Sequence, residues 1–223
     1  MLIKLWPWLE ANKTKLIGAV VAIIVVFGVW NFMASQKEQN EIAAGQALTQ
    51  LLMTPPSGVS PSDALSQLAV KYSGTAAAQR AQLQSAATLF SGARYADAQA
   101  AFEKFLAGTS AGPLATTAQL GLGASLEAQG KLDLAAAAYQ KVAVTVASNP
   151  SALPALCALG RIAEAQGKLA EAANYYESAA RAGSMGGSQA QEAAMHAAEL
   201  KAKIASAPKA VASAAQPAVA PAK

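Results

Sequence analysis

A pattern that recurs every 37 residues constrains this chain more than any other feature. Leu120 to Val142 reads LGLGASLEAQGKLDLAAAAYQKV, and Leu156 to Ala179 reads LCALGRIAEAQGKLAEAANYYESA. Both contain AQGKL, and the pairs Gly130/Gly167, Ala135/Ala172 and Tyr139/Tyr176 are each 37 residues apart. An earlier copy, SAATLFSGARYADAQAAFEKFL from Ser85 to Leu106, puts Ala98 and Phe102 the same 37 residues before Ala135 and Tyr139. A fourth, weaker copy ends in SDALSQLAVKYSG, where Ala64 and Leu68 precede Ala98 and Phe102 by 34. A unit of this length cannot bury its own apolar face, so successive units must stack.

The units read as helices. Alanine, the best helix former, occurs 58 times, and β-branched runs are nearly absent outside residues 16–30. Helix boundaries are marked. Ser60-Pro61 supplies a cap residue and a first-turn proline, with Asp63 adding negative charge to that turn. Gly74, Gly108, Gly130, Gly167 and Gly183 stand where helices stop, and Gly112-Pro113 and Asn149-Pro150 mark turns. Gly183 to Gly187 reads as a joint before a last helix, Ser188 to about Ala205. Its apolar stripe is Ala193, Ala197, Leu200 and Ile204, a cap for the open end of the stack. From Ala207 on, Pro and Ala without large apolar residues predict disorder.

These residues resemble the tetratricopeptide repeat over about residues 40–183. Leu122-Gly123 and Leu159-Gly160 match its first-helix Leu-Gly. Ala98, Ala135 and Ala172 match its small second-helix position, and Phe102, Tyr139 and Tyr176 the aromatic four residues later. The family's Trp, Tyr and Pro positions are mostly missing. The resemblance implies a helix–turn–helix stack in which first helices line a concave protein-binding groove. Carried over by repeat position, the groove residues are Arg80, Leu83, Ala87, Phe90, Leu120, Ala124, Glu127, Cys157, Arg161 and Glu164. Small residues at Gly123, Gly160, Ala135 and Ala172 are expected where helices touch, with the aromatic filling the gap between neighbouring pairs.

Ahead of the repeats, Leu16 to Met33 reads LIGAVVAIIVVFGVWNFM without a charge. As a helix it spans about 27 Å, close to a hydrocarbon core of about 30 Å. Trp6, Trp8, Trp30 and Phe32 flank it as an aromatic belt would. Phe32 at the −3 position makes a poor signal-peptidase site before Ser35. Lys4, Lys13 and Lys15 precede the segment, whereas Lys37 is followed by Glu38 and Glu41. The positive-inside rule then places the N-terminus in the cytoplasm and the remainder in the periplasm of a bacterium.

Other functions are disfavoured. Half of the net charge of +4 arises at the N-terminal end, where Lys4, Lys13 and Lys15 outweigh Glu10, and the remaining basic residues form no stripe for nucleic acid. One cysteine, Cys157, and one histidine, His196, exclude an internal disulfide and offer no metal site. No nucleophile elbow, phosphate loop or metalloprotease motif occurs, so neither an enzyme nor a cofactor is expected. Glu127 and Glu164 read as equivalent solvated positions, Cys157 as a small groove-lining hydrophobe and His196 as solvated.

The expected fold class is therefore all-α. Residues 1–15 are cytoplasmic, 16–33 a transmembrane helix, 34–183 three to four tetratricopeptide-like hairpins, 184–206 a capping helix and 207–223 a disordered tail. This organisation resembles the ancillary Sec translocon subunit, a single-span periplasmic repeat protein. That likeness implies other proteins as partners, the translocon among them, and help to secreted-protein and chaperone traffic. An envelope-assembly or cell-division coordinator with the same fold is the alternative reading.

Overall fold

Three turns of one design organise the chain. The computed structural model describes residues 13–145, 152–183 and 187–206, and the side chains of residues 13–17, 19–23 and 145 lie outside that description. The helices are α1 (Lys13–Met53), α2 (Pro61–Lys71), α3 (Ala76–Ser91), α4 (Tyr95–Gly108), α5 (Pro113–Ala128), α6 (Leu132–Thr145), α7 (Leu153–Ala165), α8 (Leu169–Ala182) and α9 (Ser188–Ser206). Among the described residues there is no strand. Helix α5 ends with the Lys131 N–H donating to the Leu126 carbonyl at 2.9 Å and the Gly130 N–H to Glu127 at 2.9 Å. Helix α7 ends the same way, Lys168 to Ala163 and Gly167 to Glu164, both at 2.8 Å. Helix α3 repeats it with Arg94 to Leu89 at 3.0 Å and Ala93 to Phe90 at 2.9 Å. This paired bonding satisfies the last carbonyls of each helix and needs a left-handed pivot. Gly130 and Gly167 supply it at φ +74°, but Ala93 is forced there at φ +58°.

The chain divides into two units, one ending at Ser85 and one beginning at Ala86. In the first, the Ser60 hydroxyl caps α2 by accepting from the Asp63 N–H at 3.2 Å, with Pro61 in the opening turn. Thr75 caps α3 through the Ala78 N–H at 3.0 Å. The Glu41 carboxylate of α1 accepts from the Ala76 N–H at 3.0 and 3.2 Å, a favourable place for negative charge. Leu65, Leu68, Ala69, Ala78 and Ala81 form the core, and Ala47, Leu48, Leu51 and Tyr72 pack against it. The weak first copy is thus a hairpin built from the C-terminal part of α1 and from α2.

In the second unit Ala98, Ala135 and Ala172 are each 0% exposed, as helix–helix contact positions should be. The aromatic rings divide differently from the sequence expectation. A Cβ added at Gly123 would lie 2.6 Å from the Tyr139 ring, and one at Gly160 2.7 Å from the Tyr176 ring. Those rings fill the gap inside their own hairpin. Phe102 leans the other way, onto α5 of the next hairpin, where a Cβ at Gly121 would collide with its ring. The missing Cβ decides the side: the position equivalent to Gly123 in the earlier copy is Ala86, and the one equivalent to Gly121 in the later copy is Ala158. Gln129 and Gln166, equivalent residues, staple neighbouring hairpins. Gln129 donates to Gln99 Oε1 at 3.1 Å and to the Tyr95 carbonyl at 3.2 Å, and Gln166 to Asp133 Oδ1 at 3.0 Å.

Helix α9 closes the second unit. It buries Ala190, Ala193, Ala197 and Leu200 against the stack, but Ile204, expected in the same stripe, is 40% exposed near the helix end. Lys201 donates to Glu177 of α8. That hydrogen bond holds the Glu177 carboxyl below its usual range.

The expected membrane span receives only partial description. Helix α1 runs unbroken through residue 33 into the first hairpin, so no joint separates the two. Among the described residues, no helix is long and apolar enough to cross a membrane. The expectations for residues 1–12, Asn149-Pro150 and the tail 207–223 lie outside the described residues.

Candidate functional site

Two first-position helices and the closing helix surround an open cavity of about 440 Å³ in the second unit. Leu120 and Ala124 of α5, and Cys157 and Arg161 of α7, line it. Each pair is four residues apart, so both members share one helix face. Helix α9 brings Gln189, Glu192, Ala193 and His196, and Tyr139 and Tyr176 reach in from α6 and α8. Leu120, Ala124 and Cys157 are half-buried and Arg161 is exposed.

The polar arrangement repeats with the sequence. The Tyr139 hydroxyl donates to Glu127 at 2.9 Å, and the Tyr176 hydroxyl to Glu164 at 2.7 Å. Burial, reinforced by the carboxylate that accepts from each hydroxyl, pushes both phenols far above their usual range. The Arg161 guanidinium donates to Glu127 at 3.3 Å, joining α7 to α5 across hairpins. Burial pushes the Cys157 thiol up, opposed by Arg161 and reinforced by Glu192. The His196 ring stacks on Tyr176 with centroids 5.4 Å apart and an interplanar angle of 27°. Its Nε2 lies 3.9 Å from Glu192. Among the described residues, no group of three or more His, Cys, Asp or Glu is placed to hold a metal ion.

The structure thus gathers four of the ten groove residues, Leu120, Ala124, Cys157 and Arg161, around one space. Glu127 and Glu164 stand behind it, bonded to lining side chains, and are half-buried rather than solvated. Phe90 does not line it and packs on Tyr95, with centroids 5.3 Å apart. Ala87, half-buried on α3, does not line it either. Arg80 is exposed and Leu83 half-buried in the first unit. Sequence reasoning missed Tyr139 and Tyr176 as lining residues, and all of α9's contribution. Spacing carried a signal for the tyrosines. Glu and Tyr twelve residues apart occur in both later copies and are replaced together by Phe90 and Phe102 in the earlier one.

Antiparallel helix pairs sharing one turn design, with an open face, define a helical-repeat scaffold. Residues 6–206 match the family described as tetratricopeptide repeat-like domain, and the chain belongs to that family. Among solved structures it is similar to "MamA RS-1 ArsTM double mutant", with a TM-score of 0.51 and 16% identity over 75% of this chain and 97% of that one. At that identity the likeness concerns the fold alone. No curated protein matches the chain.

Proposed function

We propose that the chain is a membrane-anchored protein-binding scaffold whose binding site is the cavity between α5, α7 and α9. The observation that carries this reading is the cavity itself. Apolar Leu120 and Ala124 and polar Arg161, Glu192 and His196 border one open space. Partly apolar concave surfaces of this kind suit protein contacts. The anchor is α1. Ile24, Val25, Val26, Phe27, Val29, Trp30, Phe32 and Met33 are 54–69% exposed, on every side of the helix. A helix left apolar all round fits lipid, since water penalises that surface. On the flanking-lysine argument the span is single-pass in a bacterial inner membrane, with the repeats in the periplasm. Service to a translocon or to secreted-protein traffic rests on the resemblance in organisation alone. Alkaline carbonate extraction tests the anchor, and full-length chain should stay in the membrane pellet. A reporter active only in the periplasm, fused after Ala205, tests the topology. Recovery of a soluble species beginning near Ser35, or activity of a cytoplasm-only reporter, overturns the corresponding part.

A further inference from the structure

The charges around the cavity are unbalanced. Glu192 lies in its lining, and Glu127 and Glu164 are bonded to lining tyrosines. Against these three carboxylates stand one guanidinium, Arg161, already directed at Glu127 at 3.3 Å, and the imidazole of His196. Glu192 is 66% exposed and its nearest ionic neighbour, His196 Nε2, is 3.9 Å away, leaving its carboxylate open to an incoming group. The apolar part of the lining comes from Leu120, Ala124, Leu153 and Ala193. An apolar floor beside a carboxylate with spare acceptor capacity complements an apolar side chain next to an ammonium or guanidinium group. From this complementarity we infer that the cavity takes an apolar peptide segment carrying basic side chains, and that it rejects acidic segments. This inference rests on the proposal that the cavity is the binding site.

The test uses the full chain in neutral detergent and two fluorescent peptides, one of Leu and Ala with interspersed Lys, the other with Glu replacing each Lys. Anisotropy titration should show the basic peptide binding more tightly, with affinity falling as salt rises. Glu192→Lys should weaken the basic peptide by roughly three- to fivefold and strengthen the acidic one, a change of the size that a partly screened contact pair supports. Glu192→Gln should give a smaller loss. Ala124→Trp, which fills the cavity, should abolish binding of both peptides. Equal binding of the two peptides, blocked by Ala124→Trp but indifferent to Glu192, would leave the site standing and overturn the charge preference. No binding of either, with or without residues 207–223, or binding untouched by Ala124→Trp, overturns the site and the preference together. Binding that appears only after removal of residues 207–223 would give the cavity to the chain's own tail and overturn the inference.

Discussion

Gly123→Ala should destabilise the second unit although it replaces glycine by the best helix former. The added Cβ would meet Tyr139 ring atoms at 2.6, 2.8 and 2.9 Å. Tyr139 is 4% exposed and its hydroxyl is held by Glu127 at 2.9 Å, so the ring cannot retreat without losing that bond. Overpacking costs about 1–3 kcal/mol, and a strained hydrogen bond to a charged group adds about 1 kcal/mol. The helix-propensity gain of about 1 kcal/mol offsets part of this, leaving a net loss of about 1–3 kcal/mol. In a chain of this size that lowers Tm by about 2–4 °C per kcal/mol, read by circular dichroism at the helix band. Gly45→Ala is the internal control. Gly45 lies inside α1 with nothing within 4 Å of an added Cβ, so the same change there should be neutral or stabilising. The sharper test moves the space instead of removing it. Ala158 is the counterpart of Gly121, onto which Phe102 leans, and Tyr139 and Ala158 line the same cavity. In the double variant Gly123→Ala/Ala158→Gly the ring gains room on the α7 side. The two changes should therefore couple favourably, by about 1 kcal/mol beyond the sum of the singles. A Gly123→Ala variant as stable as the parent, or strict additivity in the double variant, would refute the idea that the missing Cβ sets the direction of the ring.

Ala93→Gly should stabilise the chain by about 0.5–1 kcal/mol, because Ala93 is held at φ +58° where its two counterparts are glycine; an unchanged Tm would show that the turn is not strained. Ala135→Leu or Ala172→Leu should cost about 1–3 kcal/mol at fully buried contacts, measured by the same melts. Tyr139 and Tyr176 bind their protons more tightly folded than unfolded, so their contribution is complete below the ordinary phenol value of 10.0 and is lost as pH rises through the raised folded value. Denaturant midpoints should fall with pH above about 10, and by less in Tyr139→Phe. Leu120→Ser should reduce partner capture with little loss of Tm, since Leu120 is only half-buried, whereas Phe90→Ser should lower Tm by removing the ring packed on Tyr95.

The fold was readable where one residue type does one physical task. The glycines of AQGKL announced the left-handed pivots, and the alanines at Ala98, Ala135 and Ala172 announced closed contacts. Where the same task falls to another residue the signal weakened: Ala93 gives no hint in isolation that it occupies a glycine conformation. The site was half readable. Repeat position placed Leu120, Ala124, Cys157 and Arg161 on one face, because a helix face is fixed by spacing. It could not show that Tyr139 would turn toward Gly123 while Phe102 turned toward Gly121, since that depends on a neighbouring helix. Glu127 and Glu164 looked solvated because a carboxylate's partner twelve residues away lies on another helix. The role of α9 was hidden for the same reason. His196 reads as solvated from spacing, and only the packing of Ala190, Ala193 and Ala197 turns Gln189, Glu192 and His196 to the cavity.

The most direct test of the central claim is site-specific photocrosslinking in cells, comparing a photoreactive residue at Leu120 or Cys157 with one at Val144. Leu120 and Cys157 line the cavity, whereas Val144 is 68% exposed and does not. The account predicts discrete protein adducts from the two cavity positions, diminished by Ala124→Trp, and none from Val144. Adducts from Val144 with silence at Leu120 and Cys157 would contradict it.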